Sequence, residues 1–184
     1  GKSTLLKALT ASKARVGAFP FTTLNPQLGV MFRDESEPLI LAEIPGLIPG
    51  AHLGKGLGHR FLRHLKRTRL LLHLIDASLV CPQDPLAPLR ELEVEMAAFD
   101  ADLPHRPRLV VFNKTDLLEP DFPLDAVVAA YRDSGRPVIP VSAMTGEGLE
   151  EVRQAIWTTM AEDLSGEEGQ VQTDLAVDTA PPHQ

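Results

Sequence analysis

A chain of 184 residues is long enough for one domain with its own hydrophobic core. Its apolar content of 43% and charged content of 23% are ordinary for a globular protein, and no stretch approaches the roughly 20 apolar residues of a membrane-spanning helix. The single cysteine, Cys81, excludes an internal disulfide framework and fits a reducing cytoplasm, which is the compartment we expect.

Charge is distributed unevenly along the chain. The formal net charge is −7, and residues 161–184 contain acidic residues but no lysine or arginine. Because this segment also has few apolar residues, it cannot bury enough surface to offset the entropy of ordering. We therefore predict one folded domain over residues 1–160, followed by an acidic, disordered tail over residues 161–184.

Strand-length apolar runs alternate with helical patterns over residues 1–160. In chain order, the predicted elements are a helix at Thr4–Leu9, a hairpin of strands at Gln27–Arg33 and Pro38–Ile44, a helix at Leu57–Arg67, a strand at Leu70–Ile75, a helix at Pro88–Phe99, a strand at Arg108–Phe112, a helix at Leu124–Arg132, a strand at Pro137–Val141 and a helix at Glu147–Met160. Such alternation predicts an α/β fold with a mostly parallel sheet and helices on both faces. In these folds ligands bind beyond the carboxyl ends of the strands.

The chain begins with Gly1-Lys2-Ser3-Thr4, the second half of the phosphate-loop pattern G-x-x-x-x-G-K-[ST]. In that pattern backbone N–H groups cradle phosphates, the lysine reaches the terminal phosphates and the hydroxyl binds Mg²⁺. Four residues alone are weak evidence, because Gly-Lys-Ser-Thr also occurs by chance in solvated loops. In phosphate-loop folds a strand precedes this loop, between the strands ending here at Ile44 and Ile75, and we expect that first strand to be missing from the chain.

Asn113-Lys114-Thr115-Asp116 directly follows a predicted strand. The Asp116 carboxylate can accept hydrogen bonds from the ring N–H and the exocyclic amine of guanine, whereas adenine would leave it unpaired. Lys114 can lay its aliphatic stem over the base, and Asn113 can tie this loop to the phosphate loop. The alternative interpretation of this motif is a polar turn after a strand.

One strand–helix unit later, Ser142-Ala143-Met144 follows the last predicted strand. A small residue at Ala143 lets its backbone N–H approach the guanine oxygen. The alternative is a loop that merely leads into the final helix, but its position relative to residues 113–116 favours a nucleotide site.

Two further segments are suited to sensing a γ-phosphate. In the loop at residues 19–26, a threonine hydroxyl, Thr22 or Thr23, can complete the Mg²⁺ shell opposite Ser3. At the end of a strand, the Glu43 carboxylate can hold Mg²⁺ through water, and the Gly46 N–H can meet the phosphate. The glycine-rich residues 50–58 follow, which is typical of a loop ordered by a ligand and released on hydrolysis.

Together these motifs resemble the Obg family of GTPases, in the branch related to translation factors. The match covers Gly1 to about Met160, and its most specific parts are Phe-Thr-Thr-Leu at 21–24 and Pro-Gly-Leu-Ile at 45–48. The resemblance implies a P-loop NTPase fold, an incomplete Obg-type GTPase domain over residues 1–160, and Ser3 and Thr23 as the Mg²⁺ ligands. The implied GTP-binding residues are Gly1, Lys2, Ser3, Thr4, Phe21, Thr22, Thr23, Leu24, Asn25, Glu43, Ile44, Pro45, Gly46, Asn113, Lys114, Thr115, Asp116, Ser142, Ala143 and Met144.

The chain departs from the family pattern at Glu43 and Pro49, whereas Leu47 is normal for the family and differs only from many signalling GTPases. Glu43 replaces the usual aspartate, so we expect Mg²⁺ binding to survive in a weaker form, and Pro49 replaces the usual glutamate and stiffens the segment. Leu47 stands where many signalling GTPases carry a water-orienting glutamine, which implies slow hydrolysis with Thr23 and Gly46 acting as switch residues. The resemblance suggests that backbone groups position the water, with K⁺ as an open second cation, and His52 is a less favoured alternative base.

The resemblance also implies a biological setting. It predicts a monomeric GTP and GDP binder that acts on the large ribosomal subunit and its rRNA during assembly and stress control. The basic run at residues 59–69 is either a solvated helix face or a contact to rRNA phosphates. The alternatives are another Obg-like GTPase of the developmentally regulated or mitochondrial type, an interaction module that no longer binds nucleotide, and an ATP-dependent kinase.

Overall fold

The structure is a computed structural model that describes residues 1–10, 27–33, 38–43 and 68–175. Its helices and strands are, in chain order, α1 (Lys2–Leu9), β1 (Leu28–Met31), β2 (Leu39–Ala42), β3 (Leu71–Asp76), α2 (Ala87–Phe99), β4 (Arg108–Asn113), α3 (Leu124–Asp133), β5 (Val138–Pro140) and α4 (Leu149–Leu175). Short 3₁₀ turns follow β3 and β4, at Ala77–Leu79 and Thr115–Leu117. The predicted order of elements is therefore observed throughout the described residues.

The main sheet is parallel, with β4 between β3 and β5. Leu71 pairs with Arg108 and Asp76 with Asn113, so β3 and β4 end at the same level. The connections run through α2 and α3, as parallel strands require. This arrangement brings the residues that follow the strands to one edge of the sheet.

Helices cover both faces of this sheet because side chains along β4 alternate between two cores. Val110 and Phe112 join one buried cluster with Val127 and Tyr131 of α3, where the Phe112 and Tyr131 rings meet edge to face at 5.0 Å. Val111, on the opposite face, joins a second cluster with residues of α1, α4 and β1. Burial on both sides explains the near-continuous apolar sequence of β4.

The hairpin and α1 belong to the second core. Strands β1 and β2 pair antiparallel, and Met31 packs in the same cluster as Leu5 and Leu9 of α1. The guanidinium of Arg153, on α4, donates hydrogen bonds to the carbonyl oxygens of Ala8 at 2.6 Å and Leu9 at 3.4 Å. A cation at these carbonyls satisfies the end of a short helix and favours its dipole, so α4 holds α1 in place.

The structure agrees with the predicted α/β fold and differs in the length of its last helix. In the described part of the chain the hairpin forms its own two-stranded sheet and shares no strand with the β3–β4–β5 sheet, as expected where no described strand lies between β2 and β3. Helix α4 continues to Leu175, beyond its predicted end at Met160. Low apolar content argues against packing but not against helix, since the glutamates and glutamines beyond residue 160 are good helix formers. The predicted end of the helix at Met160 was therefore wrong, while the predicted domain boundary stays a prediction.

Some predicted features fall outside the described residues. These are the hairpin turn at 34–37, the helix at 57–67 and the last residues of the acidic tail, 176–184.

The side chain of His73 should make the stability of the fold depend on pH. It lies on β3, where burial lowers its pKa to about 4, and the positive charge of Arg108 acts in the same direction. Its Nδ1 is buried and has no hydrogen-bond partner within the described structure. A proton on this ring is therefore accepted more readily by the unfolded chain, whose histidine has a pKa near ~6.5.

Since the folded-state pKa lies below the unfolded value, stability should fall as the pH drops from about 6.5 towards 4. The parent protein should lose unfolding free energy between about pH 7 and pH 5, and in His73→Gln this loss should be smaller by about 2 kcal/mol. Urea unfolding of both proteins at the two pH values measures this difference. His105→Gln, at an exposed histidine, is the matched control. An equal pH dependence in His73→Gln and its parent would contradict the assignment.

Candidate functional site

The three predicted nucleotide motifs that lie within the described residues converge at the carboxyl edge of the parallel sheet. The N-terminus of α1, the turn after β4 and the loop after β5 meet there. The backbone N–H of Thr115 donates to the carbonyl oxygen of Val141 at 3.2 Å, which joins the last two segments directly. Residues that are more than a hundred positions apart in sequence thus form one surface.

Gly1 caps the N-terminus of α1, and its carbonyl accepts the Leu5 N–H at 2.9 Å. A Cβ atom at Gly1 would lie 2.8 Å from Nδ2 of Asn113, so a side chain there would collide with that amide. Lys2 and Thr4 are exposed and Ser3 is half-buried in the first turn. These residues surround the positive end of the helix dipole, where backbone N–H groups favour anions.

The carboxamide of Asn113 links three of the predicted segments. The residue is only 3% exposed at the end of β4. Its Oδ1 accepts the Ala143 N–H at 2.9 Å, and its Nδ2 faces Gly1. The structure therefore brings together the phosphate-loop residues, the turn after β4 and the loop after β5 around one side chain.

The turn after β4 presents its polar side chains on two sides. Lys114 adopts the left-handed backbone conformation, with φ 70°, and its Nζ lies 2.5 Å from Oδ2 of Asp76. Asp116 is exposed, as a residue that must meet a ligand requires. The Oγ1 of Thr115 is buried and has no hydrogen-bond partner in the described structure.

Asp76 was not singled out by the sequence. It caps the 3₁₀ turn after β3, where Oδ1 accepts the Ser78 N–H at 3.2 Å. An acidic residue directly after a buried strand, with a serine two positions later, is the signal that could have identified it.

The loop after β5 is shaped by its own hydrogen bonds. Ser142 is fully buried; its N–H donates to the Glu147 carbonyl at 3.0 Å and its Oγ accepts the Thr145 N–H at 3.1 Å. Ala143 is half-buried beside Asn113, whereas Met144 is 79% exposed. The loop is thus held in one shape with Ala143 at the shared edge.

Glu43 follows β2, and its N–H donates to the Gln27 carbonyl at 2.8 Å. Its Oε2 is buried and lacks a hydrogen-bond partner within the described residues. An orphaned carboxylate oxygen fits a role beside a hard cation such as Mg²⁺. In the described part of the chain no three His, Cys, Asp or Glu side chains form a metal-binding group.

The remaining predicted site residues lie outside the described residues. They are Phe21, Thr22, Thr23, Leu24, Asn25, Ile44, Pro45 and Gly46, together with Leu47, Pro49 and His52.

This fold and these motifs define a P-loop GTPase domain. The family model described as "50S ribosome-binding GTPase" matches residues 1–114. The chain belongs to that family.

Curated relatives agree with the predicted resemblance to the Obg family, which is thereby confirmed. The chain is 48% identical to the GTPase Obg of Syntrophobacter fumaroxidans over 88% of this chain and 47% of the relative. It is 42% identical to the GTPase Obg of Aquifex aeolicus over 93% of this chain and 50% of the relative. The chain thus spans about half the length of the curated relatives it matches.

Solved structures show the same fold. Aquifex aeolicus Era bound to GDP·AlF4⁻ superimposes with a TM-score of 0.61 at 24% identity, covering 86% of this chain and 52% of that one. The putative nucleolar GTP-binding protein 1 of Plasmodium falciparum gives a TM-score of 0.61 at 17% identity, covering 96% and 88%. Among the described residues, no helix combines the length and apolar character needed to cross a membrane.

Gly148 should be essential to the shape of the loop after β5. It has φ 73°, and a Cβ there would lie 2.2 Å from the Pro140 carbonyl oxygen. Gly135 has nearly the same φ, 75°, but open space around it. We expect Gly135→Ala to cost about 1–2 kcal/mol for the left-handed backbone, and Gly148→Ala to cost about 2–5 kcal/mol because the clash is added.

Denaturant unfolding of the two variants measures this difference directly. Equal losses of unfolding free energy would show that the backbone conformation alone, and not the contact with Pro140, requires glycine at position 148.

Proposed function

We propose that this protein binds GTP, hydrolyses it slowly to GDP and uses the two nucleotide states as a molecular switch. The observation that carries the proposal is the position of Asn113. Its buried amide contacts Gly1 on one side and Ala143 on the other. The predicted phosphate-binding residues and the predicted base-binding loop therefore lie beside the same side chain, which supports their acting on one nucleotide.

At the phosphate end, Gly1, Lys2 and Ser3 would bind the phosphates through the amino end of α1. Ser3 and Thr23 would hold Mg²⁺. Oε2 of Glu43, which is buried without a hydrogen-bond partner among the described residues, would contact a water in the hydration shell of the ion. The ion would neutralise charge on the β- and γ-phosphates. The extra methylene of Glu43, relative to aspartate, predicts weaker binding of the ion.

At the base end, Asp116 would select guanine. The Ala143 N–H, predicted to meet the guanine oxygen, instead donates to Oδ1 of Asn113 at 2.9 Å, so its role here would be to hold the loop after β5 beside the base. The exposed position of Asp116 and the buried position of Asn113 support this division, since one must reach a ligand and the other must hold the loops. Thr23 and Gly46 would sense the γ-phosphate and release it after hydrolysis. Leu47 supplies no group that can orient water, so slow hydrolysis is expected. Hydrolysis rates in Na⁺ and in K⁺ measure whether K⁺ takes part.

We further propose that the partner of the switch is the large ribosomal subunit, in its assembly and under stress. The description of the family model, "50S ribosome-binding GTPase", supports this partner. The basic residues of the segment 59–69 would contact rRNA phosphates. The protein would act as a cytoplasmic monomer.

Titration with fluorescent GDP, in the presence and absence of Mg²⁺, tests the proposal. We expect saturable binding of fluorescent GDP, which added GTP displaces and added ATP does not. Competition by ATP would favour a kinase, and no saturable binding would favour an interaction module. Phosphate release under single-turnover conditions, with Na⁺ or K⁺, then measures hydrolysis.

Asp116→Asn should weaken GDP binding by at least about tenfold, because the guanine N–H groups lose a charged acceptor. The same variant should gain affinity for xanthosine diphosphate, whose C2 carbonyl oxygen, in place of the guanine amine, can accept a hydrogen bond from the new amide N–H. Competition titrations with both nucleotides measure the change. Asp121→Asn, at another exposed aspartate of the same connection, is the matched control. Unchanged guanine preference in Asp116→Asn would refute the assignment of this residue.

A further inference from the structure

Asp76, at the end of β3, contacts the predicted base-binding turn at residues 113–116, although Asp76 lies outside that motif. Asp76 is the last residue of β3 and pairs in register with Asn113, the last residue of β4. Its Oδ2 lies 2.5 Å from Nζ of Lys114. The two side chains are 26% and 40% exposed, so water does not fully screen their attraction.

The backbone conformation of Lys114 needs support from neighbouring groups. Its φ of 70° and ψ of 37° are unfavourable for any residue with a Cβ. Two hydrogen bonds fix the backbone around it: Leu117 N–H donates to the Lys114 carbonyl at 3.0 Å, and Thr115 N–H donates to Val141 at 3.2 Å. Asp76 fixes the other end, the ammonium group.

The Asp76 carboxylate is itself anchored. Its Oδ1 accepts both the Ser78 N–H at 3.2 Å and the Ser78 Oγ–H at 2.6 Å. Burial acts to raise the pKa of the carboxyl, but hydrogen bonds from Lys114 and Ser78 outweigh it and lower the pKa below its ordinary value. The group is therefore charged at neutral pH, with one oxygen bound to Ser78 and the other to Lys114.

We propose that Asp76 is a positioning residue of the guanine-nucleotide site, which holds the Lys114 ammonium so that the lysine stem lines the base cleft and slows nucleotide release. The inference rests on the proposed function. A stem that is already extended before the base arrives loses less side-chain entropy on binding, and that saving appears as tighter binding. Asp116 would still determine which base is accepted, so Asp76 should affect residence time and not base identity.

Asp76→Asn keeps the acceptor for Ser78 and removes the charge that Lys114 needs. We expect it to raise the dissociation rate of fluorescent GDP by about threefold to tenfold, the range for a partly exposed, hydrogen-bonded ion pair. The preference for guanine over xanthine nucleotides should stay that of the parent. Asp84→Asn is the matched control, because it removes an exposed ion pair with Arg90, at 2.6 Å, through the same substitution. Stopped-flow displacement on the full chain measures all rates.

A double-mutant cycle with Lys114→Met separates positioning from a merely structural role. If Asp76 acts through Lys114, Asp76→Asn should change the rate less than about twofold once the ammonium is gone. An equal effect in both backgrounds, or an unchanged rate in Asp76→Asn alone, would overturn the proposal. If Asp76→Asn fails to fold, Ser78→Ala provides a second variant, because it removes the hydroxyl hydrogen bond that helps to anchor the Asp76 carboxylate. Ser78→Ala should also speed nucleotide release, and an unchanged release rate in this variant would count against the proposal. Absence of saturable GDP binding by the parent would instead overturn the proposed function, and this inference with it.

Discussion

The buried carboxamide of Asn113 is the interaction on which the candidate site depends. An amide taken out of water must have its hydrogen bonds satisfied, and leaving one unmade costs about 1–3 kcal/mol. Here the acceptor Oδ1 is satisfied by the backbone N–H of Ala143, and Nδ2 lies so close to Gly1 that a Cβ there would be 2.8 Å away. One side chain therefore sets the spacing between the phosphate-binding residues and the loop after β5.

Packing on both faces of the sheet places that side chain. Strand β4 is buried between two clusters, so its end cannot shift without opening a core. Arg153 reaches from α4 to the last carbonyls of α1, which holds the helix that begins at Gly1. The geometry of the site thus follows from the cores beneath it, and the parallel strands bring the chemical groups to one edge.

Much of this arrangement could be predicted. Apolar runs of strand length, alternating with helical patterns, indicated the parallel sheet, and the residues after each strand indicated where a ligand binds. The contact between Asp76 and Lys114 could not be predicted, because it joins residues 38 positions apart whose side-chain directions depend on the register of β3 and β4. The end of α4 was misplaced since apolar content reports packing, while helix formation depends on backbone preference.

The sequence by itself determined the class of protein, because motifs such as Asn113-Lys114-Thr115-Asp116 carry their chemistry in the residue types and in their order along the chain. It also determined the pattern of strands and helices, since periodicity is a local property. The sequence also suggested that Asn113 ties its loop to the phosphate loop, and Gly1 does lie beside its amide. Only the tertiary structure decided that Asn113 also meets Ala143 and that Lys114 meets Asp76. Those contacts arise from strand register and core packing, which bring together segments that no local pattern connects.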